Sequence, residues 1–281
     1  MNDRPSSRGH GVEKNHPSRV ESAVRRDEGQ TDVTHARERS VSIIIPTYNE
    51  RENIERVVER CRAALSEYCF EIVVIDDDSP DRTWKIVEDT YAGADSVRIV
   101  RRTEESGLAT AVSRGFDEAT YDFCAVIDAD LQHPPEKLPE LIAAFDSGVD
   151  IVIGSRHIAG GGVENWSLLR RVVSRGAMTI AKLALAQTRG ISDPMSGFFA
   201  VRREVIDDVT LAPTGYKILL EVLMKCDYDR IVEVPYIFTE RERGESKLTA
   251  EEYLGFLEHI YDLRRNGHAV HARRVSVSDN Q

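Results

Sequence analysis

Lysine is scarce in this chain of 281 residues. It supplies seven of the 37 basic residues, and the rest are arginine. Positive charge is in deficit overall: 37 basic residues against 48 acidic ones leave a net charge of −11. Such a balance excludes a general nucleic-acid binder, which needs a basic face toward phosphate. Cysteine is sparse as well. Cys61, Cys69, Cys124 and Cys226 form no C-x-x-C pair, which suits reduced thiols in a cytosolic chain. No run of about 18 apolar residues occurs and no signal-peptide pattern opens the sequence, so no membrane-spanning segment is expected. No G-x-G-x-x-G follows the first apolar run, and G-x-x-x-x-G-K-[ST] is absent. A dinucleotide-binding dehydrogenase and a P-loop enzyme are both disfavoured. Residues 1–40 nearly lack apolar side chains and hold 8 basic and 7 acidic residues, so they are expected to form a disordered polar tail.

What is present begins at Val41. An apolar fraction of 41% can bury a real core, and the length suits one large α/β domain or two small ones. Short apolar, β-branched runs read as strands at Val41–Ile45, Phe70–Ile75, Val97–Val100, Phe123–Ile127 and Ile151–Gly154. Between them, helical spacing follows Asn49–Glu52, Thr83–Tyr91, Gly107–Ala119 and Pro134–Phe145. Alternating strands and helices mean βαβ units and a mostly parallel sheet. Beyond Arg156 the pattern breaks. Gly160–Gly162 reads as a flexible loop, and an apolar helix is expected over Ala177–Ala186, serving either as a core element or at a membrane surface. Strand-like runs follow near Phe198–Val201 and Ile231–Val234, with a helix over Tyr216–Lys225 and a last amphipathic helix over Glu251–Leu263. The expected domain is thus residues 41–263, with a polar tail over 264–281.

The chemistry gathers at strand ends. The fourth strand runs into Asp128 and Asp130, one residue apart, and the second into Asp76–Asp78. Right-handed crossovers place these loops, with Tyr48 and Glu50 after the first strand, along one sheet edge, where open α/β sheets bind ligands. Two neighbouring carboxylates repel each other. A divalent cation with oxygen preference, Mg²⁺ or Mn²⁺, relieves that repulsion and usually brings phosphate with it. Two solvated loop acids are the alternative, and spacing alone leaves both open.

The segments Ile44–Glu50, Val74–Ser79 and Asp128–Gln132 resemble the inverting nucleotide-sugar glycosyltransferases of the GT-A fold. Gly154–Arg156, Trp166 with Arg170, Ser174–Gly176, Asp193–Phe199 and Arg241–Leu248 narrow the resemblance to the dolichyl-phosphate mannose synthases of glycosyltransferase family 2. The match runs from about Val41 to Leu263. It implies an α/β, Rossmann-like three-layer sandwich. It also implies a metal-dependent hexosyltransferase that moves mannose from GDP-mannose to a dolichyl or polyprenyl phosphate with inversion, for use in protein glycosylation. A UDP-glucose-dependent transferase to the same lipid, or a non-catalytic nucleotide-sugar-binding subunit, are the alternatives.

On the family's pattern, Asp128, Asp130 and Gln132 correspond to metal-binding residues. Pro46, Tyr48, Glu50, Ile75 and Asp77 correspond to the base and ribose pocket, and Ala129 belongs with the donor site. Arg241 and Lys247 would hold the diphosphate, although Arg241 also reads as a solvated loop charge. Arg156, Arg170 and Ser174 correspond to the acceptor-phosphate seat, so Asp130 and Arg156 are the expected catalytic pair. His133 reads as a turn residue beside Pro134. Asp193 reads either as a sugar contact or as a loop cap. Asp78 stands where the family often carries Gly or Asn. The resemblance implies a peripheral location on the cytoplasmic face of a membrane, with contact through amphipathic surface or a membrane partner subunit.

Overall fold

Five apolar runs become strands because their β-branched side chains fit a pleated surface buried on both faces. In the computed structural model, which describes residues 39–145, 148–211, 216–239 and 250–266, β1 (Ser40–Thr47) pairs in parallel with β2 (Cys69–Asp76) and β4 (Phe123–Val126). β2 also pairs in parallel with β3 (Val97–Arg101), and β5 (Ile151–Ser155) with β8 (Ile231–Pro235). Between these two groups lies β7 (Phe199–Arg202), antiparallel to both β4 and β5. The sheet order is β3-β2-β1-β4-β7-β5-β8. β6 (Gly162–Val163) and β9 (Ile237–Phe238) form a separate parallel pair.

Helices cover both faces. On one side α1 (Ile54–Ala64), α2 (Thr83–Thr90) and α4 (Leu138–Ala143) close over Ile43, Ile45, Ile72 and Val74. On the other, α3 (Leu108–Glu118) packs on Ile44, Val73 and Ile75. The approach of α3 is close: a Cβ on Gly115 would stand 2.3 Å from Ile44 Cγ2. A third cluster joins α5 (Leu168–Ala184) and α7 (Ile218–Lys225) to α8 (Ala250–Asn266). A short α6 (Arg203–Ile206) follows β7.

Two expectations are corrected. The helix expected at Ala177–Ala186 is one continuous helix that starts at Leu168, so Arg170 and Ser174 sit on its first two turns. The Ser167 hydroxyl accepts from the Arg170 N–H at 3.2 Å and starts it. The Gly160–Gly162 segment is not a free loop either. Gly162 belongs to β6, and its N–H donates to the Tyr236 carbonyl at 3.1 Å. The tail expectations for 1–40 and 264–281 lie outside the described residues, apart from Arg39, Ser40 and 264–266.

Candidate active site

Three loops leave the sheet at the same edge, after β1, β2 and β4, and each contains a non-glycine residue at positive φ. These are Asn49 at 58°, Asp78 at 50° and Leu131 at 62°. Asn and Asp tolerate this conformation through short polar side chains. Asp78 thus occupies a left-handed position that its short polar side chain tolerates. The Asp78 carboxylate is paired with Arg101, which in turn lies 3.9 Å over the Trp84 ring. Leu131 has no such excuse and stores strain between Asp130 and Gln132. Its surroundings hold it: the Leu131 carbonyl accepts from Thr239 Oγ1 at 3.3 Å.

The loop after β2 is built on buried Asp76. Its carboxylate accepts from the Ser79 N–H (2.9 Å), the Ser79 hydroxyl (2.6 Å) and the Thr47 hydroxyl (2.9 Å). Asp77 beside it is fixed by a residue that the sequence did not single out. Arg102, 8% exposed, grips Asp77 Oδ1 with Nε (2.7 Å) and Nη2, and reaches the Gly107 carbonyl (3.0 Å) and the Thr110 hydroxyl (3.1 Å). The Gly107 N–H donates to Asp77 Oδ2 at 2.7 Å.

These loops enclose a cavity of about 800 Å³. Pro46, Tyr48, Glu50, Asp77, Asp128, Ala129 and Asp130 are brought together on its lining. Glu50, Asp77, Asp78, Glu104, Glu105, Asp128 and Asp130 bring seven carboxylates to its wall, against the guanidinium of Arg102. Ile75, expected in the same pocket, does not line it: its side chain is fully buried in the α3-side core. Gln132 sits behind the carboxylates. Its N–H donates to Asp130 Oδ1 (3.0 Å) and its amide nitrogen to the Thr239 carbonyl (3.1 Å).

His133 does sit at a bend before Pro134, but an enclosed one. It is fully buried, stacked on Phe198 (5.4 Å between centroids) and edge-on to Tyr236 and Phe238. Burial pushes its pKa down to about 4, so the ring is neutral at ordinary pH. Its Nδ1 accepts the Asp128 N–H at 3.3 Å. Gly197 closes the opposite side, where a Cβ would stand 3.2 Å from Asp128 Oδ2.

Arg156 packs on the same aromatic block, within electrostatic reach of Asp128. Its guanidinium carbon is 5.5 Å from the Phe238 ring centre and 6.0 Å from that of Trp166. Arg170 stands over the other part of that wall, 4.3 Å from Trp166. Asp193 is neither a sugar contact nor a loop cap. It is buried and forms a two-pronged ion pair with Arg156 at 2.7 and 2.8 Å. Burial alone would raise its pKa, but the hydrogen bonds and charge of Arg156 prevail and hold it below the ordinary carboxylate value. The pair's contribution to stability is therefore complete above the normal carboxylate range and fades as pH falls below it. Arg241 and Lys247 lie outside the described residues.

Among the described residues, no group of three or more His, Cys, Asp and Glu could cage a metal by itself. Two hard carboxylates at the mouth of an acidic cavity nonetheless fit an ion that arrives with phosphate and keeps other oxygen ligands, as Mg²⁺ and Mn²⁺ do.

Comparison with known proteins gives the family and agrees with the fold. Residues 42–210 match the family model described as glycosyl transferase family 2. A dolichol-phosphate mannosyltransferase of Pyrococcus furiosus is 52% identical over 225 residues, covering 80% of this chain and 64% of the relative. This chain thus spans under two thirds of that protein's length. A polyprenol monophosphomannose synthase of Mycolicibacterium smegmatis is 37% identical, covering 83% of this chain and 90% of its own. In fold, the chain is similar to glucosyl-3-phosphoglycerate synthase of Mycobacterium tuberculosis, solved with Mn²⁺, uridine diphosphate and glucosyl-3-phosphoglycerate. The TM-score is 0.63 at 18% identity, over 92% of this chain and 95% of that one.

Proposed function

The chain belongs to glycosyl transferase family 2, and from that premise we propose that it moves a hexose from a nucleotide sugar to the phosphate of dolichol or a related polyprenol. Mannose from GDP-mannose is the donor we assign. One observation carries the reading: His133, which accepts the Asp128 N–H, and Arg156 both pack on Phe238, with Arg170 on the adjoining Trp166. The acid pair and the arginine pair thus gather around one aromatic block, where a donor and an anionic acceptor can meet. The names of the relatives support mannose and a polyprenyl phosphate.

The nucleotide would fill the 800 Å³ cavity, with Pro46, Tyr48, Glu50 and Asp77 around base and ribose, while Ile75, in the core, supports the strand that carries Asp77. Asp128 and Asp130, with Gln132 behind, would hold Mg²⁺ or Mn²⁺, which when bound offsets the charge developing on the leaving diphosphate. The Mn²⁺ of the mycobacterial fold relative supports such an ion. Arg241 and Lys247 would hold the diphosphate from the other side. Thr239, two residues before Arg241, is tied to Leu131 and Gln132.

Arg156, Arg170 and Ser174 would seat the acceptor. A phosphate monoester is mostly dianionic at neutral pH, with a second pKa of about 6. Its oxygen can attack the anomeric carbon while the bond to the diphosphate breaks and the electron pair leaves with the nucleoside diphosphate. No proton has to be removed, so no general base is required. The one histidine beside the acids suits this: His133 is neutral and enclosed. Displacement from behind turns an α-linked donor into a β-linked product.

The lipid tail needs an apolar surface. On α5 the outward face carries Leu168 (80% exposed), Val172, Ile180 and Leu183 (71% exposed), with exposed Arg171 and Arg175 beside them. Leu257 and Tyr261 of α8 are exposed too. Among the described residues, no helix is long and apolar enough to cross a membrane. We assign this face to the cytoplasmic surface of a membrane, reached by the chain alone or with a membrane subunit. Leu168→Ser with Leu183→Ser should reduce sedimentation with vesicles containing anionic lipid about tenfold and leave nucleotide binding intact. Unchanged sedimentation would remove α5 from the membrane contact.

A donor panel tests the main reading. GDP-mannose, GDP-glucose, UDP-glucose and UDP-galactose are each incubated with Mn²⁺ and dolichyl phosphate. Turnover is expected with GDP-mannose. Turnover with UDP-glucose instead would move the donor, and none with any donor would remove the activity.

A further inference from the structure

Arg156, the residue after β5, is fixed in place by the protein itself. Asp193 Oδ2 accepts from its Nε at 2.7 Å and from its backbone N–H at 3.1 Å, and Oδ1 accepts from Nη2 at 2.8 Å. Asp193 is 1% exposed and so cannot reach a substrate. It is held in turn. Its own N–H donates to Glu233 Oε1 (3.0 Å), and the Ser192 N–H donates to Oε2 (2.8 Å). Glu233 is buried on β8, in register with Ile153 of β5, three residues before Arg156.

We propose that Asp193 and Glu233 are positioning residues for the acceptor site, a relay of two carboxylates that runs from the sheet to the Arg156 guanidinium and aims it. This rests on Arg156 seating the acceptor's phosphate, as above. With Nε and Nη2 committed to Asp193, Nη1 and the second Nη2 hydrogen are what the guanidinium can offer a phosphate. Phe238 and Trp166 back the group within 6.0 Å, so it has little freedom to turn. Two carboxylates serve one guanidinium here. Orientation, and not net positive charge, is therefore what the relay supplies. A guanidinium locked before binding loses no rotamer freedom when the acceptor arrives.

The substitutions are chosen to break aim while keeping shape. Asp193→Asn leaves one acceptor oxygen where the fork needs two. Glu233→Gln turns one of its two backbone contacts into donor against donor. Steady-state kinetics use the full chain with GDP-mannose, Mn²⁺ and a short-chain polyprenyl phosphate, and titration calorimetry reads GDP–Mn²⁺ binding. Asp193→Asn should raise the acceptor KM about 10- to 100-fold, with GDP affinity within about twofold of the parent. Glu233→Gln should repeat the pattern at about 5- to 10-fold, since it acts one step further away. In an Arg156→Lys background, Asp193→Asn should add less than about twofold, because the relay acts on the acceptor through Arg156, chiefly by its guanidinium fork.

An unchanged acceptor KM in both variants would overturn the relay. So would equal losses in donor and acceptor binding, or additivity with Arg156→Lys, which would mark a purely structural pair. If Asp193→Asn does not fold, Glu233→Gln carries the decision. If Arg156→Lys itself leaves the acceptor KM unmoved, the acceptor seat is wrong, and the relay falls with it for that separate reason.

Discussion

Asp130→Ala should lower sugar transfer by about 10³-fold or more, the scale on which a bound cation stabilises a leaving diphosphate. Asp130 lies in a wall lined by seven acidic residues, of which Asp77 and Asp78 are paired with arginines, and the excess of acid there would repel a bare diphosphate. Binding and departure of the donor therefore need positive charge between the two. The side chain accepts the Gln132 N–H at 3.0 Å, so a denaturant midpoint measured beside activity separates loss of fold from loss of metal. Mn²⁺ binding in the presence of GDP, read by electron paramagnetic resonance, should weaken in parallel with the loss of transfer. Metal-dependent turnover that survives in the variant would show that the cation is held elsewhere.

Arg156→Ala should have two separable effects. Transfer falls about 10²- to 10³-fold, because the acceptor's phosphate loses its principal charge-assisted partner. Stability falls as well, by about 3–5 kcal/mol, because Asp193 is left buried at 1% exposure with no counter-charge. Adding Asp193→Asn to Arg156→Ala should recover most of that stability without restoring transfer. Denaturant midpoints read the first quantity and product formation the second. GDP binding should be unchanged in both variants, since Arg156 does not line the nucleotide cavity. A double variant that regains turnover would mean Arg156 is there to neutralise Asp193 and for nothing else.

The strands and the acid pair were legible because their signals are local. Ile43, Ile44 and Ile45 in a row, or Phe123 through Ile127 ahead of two aspartates, need no distant partner to be read. The helix α5 was split because Arg170-Arg171 and Ser174-Arg175-Gly176 look like a polar break. In the fold these residues occupy the first turns of the helix, while Ala181 and Leu185 further along are buried. The parts missed are those set by long-range placement. Asp193 lies 37 residues from Arg156, and its ion pair exists because β5 and β8 bring the 192–193 loop alongside. Arg102 follows an apolar run and a second arginine, which looks like a solvated end, but it is buried against Asp77. His133 stands before two prolines, the usual mark of an exposed turn, and only tertiary packing encloses it among Phe198, Tyr236 and Phe238.

The most direct check is the stereochemistry of the product. GDP-α-mannose, Mn²⁺, the full chain and a short-chain polyprenyl phosphate are combined, and the one-bond carbon–hydrogen coupling at the anomeric centre of the lipid product is read by NMR. A β-linked mannosyl phosphate is expected if the phosphate seated by Arg156 attacks from behind while the diphosphate departs beside Asp128 and Asp130. An α-linked product, or free mannose with the lipid phosphate unmodified, would contradict it.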